Sequence, residues 1–392
     1  MNYRTADRLA HIHEYYFSRK LRELSQLREQ GVDVINLGIG SPDLSPDNTV
    51  ISKLSSESSV PGNHGYQSYI GIPELREAFA AWYQQQFGVE LDPSNEILPL
   101  IGSKEGIVHV SMTYVQSGDV VLVPDPGYPS YSAASRLAGA EVATYDLLPD
   151  RGWLPDLQAV RDQDLSNVRL MWLNYPHMPT GARGGLKLFH ELVSFASDHE
   201  ILLCHDNPYA FISNDKPYSL FQVDGAKEVS VELTSLSKTF NMAGWRVGAM
   251  IGHSDRIKDV LKFKSNMDSG MFRPIQLAAV EALNLDRQWY QQINQTYKSR
   301  REHAEELLRS IGCQVDSAQV GMFVWARIPD QFEDAEGLSD LILATTGVFI
   351  TPGHIFGRNG NKYLRVSLCT PIEVLESAQE RCASSIELKS IV

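Results

Sequence analysis

Five short apolar runs recur along the middle of the chain, at positions 120–123, 170–173, 201–204, 229–233 and 247–251. Each is rich in Val, Leu and Ile. Helical segments separate some of them, most plainly LKLFHELVSFASDHE. Strands that are apolar throughout are buried on both faces. Alternating with helices, they predict an α/β domain around a mostly parallel sheet. Sheets of that kind bind ligands beyond the carboxyl ends of their strands. The residues at those ends are the first candidates for chemistry.

The flanking segments read differently. The first 30 or so residues predict a charged amphipathic helix, and an apolar stretch at 32–37 leads into the Gly-rich loop GIGSPDLSP. PELREAFAAWYQQQF is helical by its spacing, with Pro73 near its start. GSKEGIVHVSMTYV predicts a turn feeding a second helix. Beyond Asp286, a long helical stretch at 287–311 precedes apolar runs at 321–328 and 363–368 and a closing helix. The pattern predicts a large domain over residues 45–286. A smaller α+β domain is expected from residues 1–44 together with 287–392.

Composition narrows the function. Acidic residues number 48 and basic ones 35, for a formal net charge of −13. That argues against an extended phosphate-neutralising surface, so no nucleic-acid partner is expected. The four cysteines, Cys204, Cys313, Cys369 and Cys382, lack metal-ligand or redox spacing, so neither a metal site nor a disulfide framework is indicated. No apolar run is long enough to cross a bilayer, and MNYRTADRLAHIHEYYF lacks the apolar stretch of a signal peptide. A soluble, cytoplasmic protein with no membrane partner is expected.

TSLSKTFNMAGWRVGAMIG carries the most chemistry. Lys238 follows an apolar run, with Ser235 and Ser237 before it and Arg246 beyond. A lysine held there, away from bulk water, has a lowered ammonium pKa and an amine free to attack a carbonyl. Two hydroxyls and a guanidinium suit a phosphate dianion. Taken alone, S-x-S-K is a polar surface loop. Asp206 ends the run in ILLCHDNPY, where a carboxylate can pair with a cationic heterocycle, and Tyr209 adds a phenol. Taken alone, D-N-P-Y is a turn. GSKEG sets Ser103 and Lys104 at a helix start, which is either an anion site or a simple N-cap. DPGYPSY supplies Tyr128, whose ring can stack on a flat ligand or pack within the loop. Arg365 lies inside YLRVSL and needs an anion, from a structural ion pair or from a substrate carboxylate.

In chain order, GIGSPD, YQSYIGIPELR, GSKEG, DPGYP, NYPHMPTG, DNPY, SLSKTFNMAGWR and YLRVS resemble the pyridoxal-phosphate-dependent aminotransferases of class I/II. These have the aspartate-aminotransferase-like fold (fold type I). The resemblance covers nearly the whole chain. GSKEGI and DPGYP look closest to the LL-diaminopimelate and alanine aminotransferase branch. It implies a mostly parallel central sheet flanked by helices, with a smaller domain from both chain ends. It also implies ping-pong transfer of an amino group between an L-amino acid and a 2-oxo acid.

Residue by residue, the resemblance makes Lys238 the Schiff-base and proton-shuttle lysine. Asp206 matches the partner of the protonated ring nitrogen, Tyr209 the donor to the ring O3′, and Tyr128 the aromatic stacked on the ring. Ser103, Lys104, Ser235, Ser237 and Arg246 match the phosphate cup. Arg365, the Gly40 amide and Tyr128 match the grip on the substrate. Tyr66 matches a tyrosine that reaches the neighbouring subunit's phosphate, which implies a homodimer.

One departure stands out. The family writes N-P-T-G where this chain has Met178 before Pro179. Met has no donor for O3′, so altered kinetics with retained chemistry is expected. His177 is expected to face solvent rather than replace the lost donor. β-Elimination from cystathionine-like substrates would use the same lysine and aspartate, and is the alternative reaction. A regulatory role is disfavoured by the net charge and by the absence of room for a DNA-binding domain before residue 30. Contacts to the substrate side chain are expected from residues 15–17, the loop after Gly40, and 321–324.

Overall fold

The computed structural model describes residues 3–10, 12 and 14–385. Its early strands are β1 (Ile35–Asn36), β2 (Ile97–Leu100), β3 (Val120–Asp125), β4 (Glu141–Asp146), β5 (Val168–Leu173) and β6 (Leu202–Asp206). Then come β7 (Ser230–Ser235), β8 (Gly248–Gly252), β9 (Gln314–Val315), β10 (Phe323–Arg327), β11 (Val348–Phe349), β12 (Thr351–Pro352) and β13 (Tyr363–Ser367). Seven of them form the central sheet, in the order β2-β8-β7-β6-β5-β3-β4. Pairings from β7 to β4 are parallel, while β8 runs antiparallel to both β7 and β2. Helices Ser103–Tyr114 and Leu186–His199 pack on this sheet. The aspartate-aminotransferase-like α/β fold expected from the motifs is the one observed.

The five apolar runs become β3, β5, β6, β7 and β8, because each is buried on both faces. Two strands of the sheet had no such run. β2 is the four residues ILPL, buried but short and interrupted by Pro99. β4 lies at the sheet's edge and is largely open to solvent, so its sequence is polar.

The expected helix over the first 30 residues is shorter in fact, spanning Tyr16–Glu29. It buries Phe17, Lys20 and Leu24. Upstream, Asp7–Leu9 makes only a single 3-10 turn and buries nothing, so no apolar face exists to hold a longer helix. Residues 1, 2, 11 and 13 of that expectation lie outside the described residues, as do 386–392 at the other end.

The stretch at 32–37 yields only β1, which pairs in parallel with β11. A second sheet runs β12-β13-β10-β9, all antiparallel. Helices Arg287–Ser310 and Ala335–Thr346 pack against it, and Ile372–Ser384 packs on the first of these. The long helix begins where the Asp286 side chain accepts from the Gln288 N–H at 2.8 Å, satisfying a free donor. No helix among the described residues is long and apolar enough to cross a membrane.

Leu203, the second residue of β6, is fully buried in the core of the central sheet. Leu203→Ala is expected to cost about 2–5 kcal/mol of stability through the lost transfer energy and the cavity left behind. A lowered urea midpoint with an unchanged slope is the expected reading.

Candidate active site

A cavity of about 310 Å³ opens where β6 and β7 end and the second sheet approaches. Eleven of the twelve residues singled out from sequence line it: Gly40, Ser103, Lys104, Tyr128, Asp206, Tyr209, Ser235, Ser237, Lys238, Arg246 and Arg365. Tyr66 does not. Its side chain is 94% exposed, beside His64 and Phe272 at a separate surface hollow.

β7 delivers the chain into the short helix Leu236–Thr239, whose N-cap is Ser235. The Ser235 hydroxyl accepts from the Ser237 N–H at 3.2 Å and donates to the Ser237 Oγ at 2.9 Å. Lys238 sits on this turn, and its Nζ donates to the Gly40 carbonyl at 2.5 Å. Burial lowers the Lys238 pKa, and the nearby Arg365 and Arg246 guanidiniums push the same way. A larger share of neutral amine follows.

β6 ends at Asp206. Burial pushes its carboxyl up to about 6, against the hydrogen bond from Tyr131 and the nearby Ser103 hydroxyl. The Tyr131 hydroxyl donates to Oδ2 at 2.9 Å, while Oδ1 is buried without any hydrogen-bond partner. Tyr131 is itself fixed by stacking on Trp172, with ring centres 5.0 Å apart. Asn174, just past β5, donates to the Asp206 carbonyl at 2.6 Å and accepts from the Met178 N–H at 2.7 Å. Neither Tyr131 nor Asn174 was anticipated. Asn174 directly follows β5, which was an available signal, whereas Tyr131 lies in the helix Pro129–Leu137 after β3.

The start of helix Ser103–Tyr114 faces the same cavity, so free backbone N–H groups point toward it. Gly102 at its N-cap has φ +78°, and a Cβ there would lie 2.2 Å from Arg246 Nη2. Only glycine lets the guanidinium come so near. Arg246 Nη1 donates to the Ala243 carbonyl at 2.9 Å. The Lys104 ammonium turns elsewhere, 4.9 Å from the ring centre of Tyr15 and 5.9 Å from that of Tyr128.

Arg365 is buried and has no ion-pair partner among the described residues. Its Nη2 donates to the Gly38 carbonyl at 2.7 Å, Nη1 lies 3.2 Å from the Met178 sulfur, and Nε has no partner. Three rings surround the guanidinium: Phe323 at 4.0 Å, Phe356 at 4.6 Å and Phe17 at 5.4 Å. Burial pulls its pKa down to about 10, which leaves it cationic at neutral pH. A buried cation without an anion is costly, so the structural ion pair considered from sequence is absent, and the demand for an anionic ligand stands.

The expectation for His177 is overturned. It is 3% exposed rather than solvent-facing, because its Nδ1 pairs with the Thr180 hydroxyl at 2.8 Å inside the turn. Burial pulls its pKa down to about 3, so it is neutral. It does not line the cavity.

The model of aminotransferase class I and II matches residues 32–381. The chain belongs to the class I and II aminotransferases. It is 41% identical to an LL-diaminopimelate aminotransferase of Dehalococcoides mccartyi, over 96% of this chain and 97% of the relative. Among solved structures, apo-BacF from Bacillus subtilis superimposes with a TM-score of 0.94 at 34% identity, over 100% of this chain and 99% of that one. An aspartate aminotransferase from Thermus thermophilus with maleate gives 0.90 at 26% identity, over 97% and 99%. Aminotransferases of this family use pyridoxal 5′-phosphate.

The buried Asp206 makes stability depend on pH in the cofactor-free protein. Its carboxyl is raised to about 6 by burial, from an ordinary value of about 3.9. Between these values the folded state holds a proton that the unfolded chain has released, so stability falls as pH rises. Relative to Asp206→Asn, the cofactor-free protein is expected to lose about 2 kcal/mol between pH 4 and 6. Denaturant titrations of both proteins across that range check it.

Proposed function

We propose that this cavity is the active site of an aminotransferase that moves an amino group between an L-amino acid and a 2-oxo acid. Pyridoxal phosphate presents a ring nitrogen, a phosphate and an aldehyde. The unpartnered Oδ1 of Asp206 suits a ring N–H. Ser103, Ser235, Ser237 and Arg246, with the backbone at Lys104, suit the phosphate. The buried Lys238 amine suits the aldehyde. Tyr128 offers a stacking face and Tyr209 a phenol for the ring hydroxyl.

Bound there, the cofactor supplies an electron sink for the charge left at the substrate Cα. Arg365 binds the α-carboxylate and the Gly40 loop borders it, which fixes Cα relative to Lys238. Lys238, as a neutral amine, would take the proton from Cα and deliver it to the cofactor carbon that carried the aldehyde, and the same path runs backwards in the reverse half-cycle. The observation that carries this reading is the convergence of three unquenched groups in one cavity. They are the Lys238 amine, the free Asp206 oxygen and the unpaired Arg365 guanidinium. No observation favours the β-elimination alternative.

The same proposal includes a homodimer in which Tyr66 reaches the neighbouring subunit's phosphate. Its 94% exposure beside the exposed Phe272 supports that role. It also includes the division into residues 45–286 and the two terminal segments, supported by the seven-stranded sheet standing apart from the four-stranded and two-stranded sheets of the chain ends. A cytoplasmic location accords with four buried, unpaired cysteines. The diaminopimelate named for the relatives is one donor to test.

The purified protein is expected to absorb near the violet edge, and borohydride to fix the chromophore on Lys238. Lys238→Ala should lower kcat by more than about 10³-fold. A panel of amino donors with 2-oxoglutarate and pyruvate reads this out. No amino transfer with any pair would overturn the proposal.

A further inference from the structure

Once the proposed roles above are assigned, little polar surface remains in the cavity. Asp206 is its sole carboxylate among the described lining residues. Beyond the Tyr15 phenol, the wall near Arg365 is largely apolar: Phe17, Ile39, Met178, Phe323 and Phe356. The rings are held in place rather than loosely packed. A Cβ on Gly40 would lie 2.4 Å from the Phe323 Cζ, so the loop rests directly on that ring. Tyr209 meets Phe323 edge-on at 5.9 Å. Two carboxylates line the adjoining groove, and both are engaged: Glu14 is paired with Arg22, and Asp125 accepts from the Asn359 N–H.

We propose that this site takes an amino acid or 2-oxo acid with a large aromatic or apolar side chain. It disfavours a donor that carries a second ammonium group. The inference rests on the aminotransferase reading above. An apolar side chain entering these walls gains contact and sheds water from both surfaces. A distal ammonium, as in diaminopimelate, would lose its hydration and find no carboxylate but Asp206 among the described residues lining the cavity. The unfilled demand of Arg365 is met by the α-carboxylate common to every substrate, so discrimination falls to the rings and to Met178. Met178 adds a polarizable, donor-free surface where an amide would invite a polar group.

The test compares half-reactions of the cofactor-loaded enzyme with L-phenylalanine, L-alanine and LL-diaminopimelate, followed by the cofactor's absorbance. Phenylalanine is expected to exceed diaminopimelate by at least tenfold in kcat/KM. Equal or better use of diaminopimelate overturns the proposal, including the case where a partner subunit supplies a carboxylate. Phe17→Ala should cut the phenylalanine-to-alanine ratio by about tenfold. A ratio unchanged within threefold in both Phe17→Ala and Phe17→Leu also counts against the proposal. If no donor reacts, the aminotransferase reading fails, and ligand binding still decides the pocket. By thermal shift, 3-phenylpropionate should then bind more tightly than 6-aminohexanoate, which carries a distal ammonium, and the reverse order overturns the inference.

Discussion

Asp206 is a carboxyl group kept from water with one oxygen paired and the other bare, and the centre of the sheet is built to tolerate it. The neighbouring polar network is instead fully satisfied. Glu232 on β7 accepts from the Tyr83 hydroxyl, the Ser219 hydroxyl, the Leu220 N–H and the His205 ring, all within 2.9 Å. His205 precedes Asp206 on β6, so strand alternation sends the two side chains to opposite faces. One face of the strand closes its hydrogen bonds within the core. The other leaves an acceptor open toward the cavity. A satisfied buried network rigidifies, and an open acceptor asks for a ligand.

The two basic groups are kept available by a different device. Lys238 donates to the Gly40 carbonyl and Arg365 to the Gly38 carbonyl, both in the GIG segment. A backbone carbonyl orients a donor without neutralising its charge, whereas a carboxylate would quench it. Glycine is required for that approach. A Cβ on Gly38 would lie 2.5 Å from the Thr351 hydroxyl, and one on Gly40 would enter the Phe323 ring. The loop therefore joins the amine at the end of β7 to the guanidinium on β13 without cancelling either.

Much of this was legible because buried parallel strands announce themselves. β3, β5, β6, β7 and β8 are apolar where both faces are covered, and Asp206 and Lys238 stand just where those runs stop. β4 was silent because an edge strand open to water has no reason to be apolar. Tyr131 and Asn174 were missed for another reason. Their work is to hold Asp206 and Met178 through a hydroxyl and an amide, and sequence spacing does not report which neighbour a side chain reaches. His177 was misread as exposed because H-M-P-T-G is polar in composition. The turn folds inward and gives the imidazole a hydroxyl partner from Thr180.

Met178 ties these threads together. Its backbone N–H is held by Asn174, so its side chain is set against Arg365 by the same amide that braces Asp206. A thioether is a weak acceptor, and it takes little of the guanidinium's hydrogen-bonding capacity. An asparagine oxygen there would satisfy more of that capacity before any ligand arrived. The substitution thus leaves Arg365 with a greater unmet demand, paired with an apolar surround that raises the cost of leaving it unmet. Both effects favour a carboxylate ligand, and neither needs a donor at position 178.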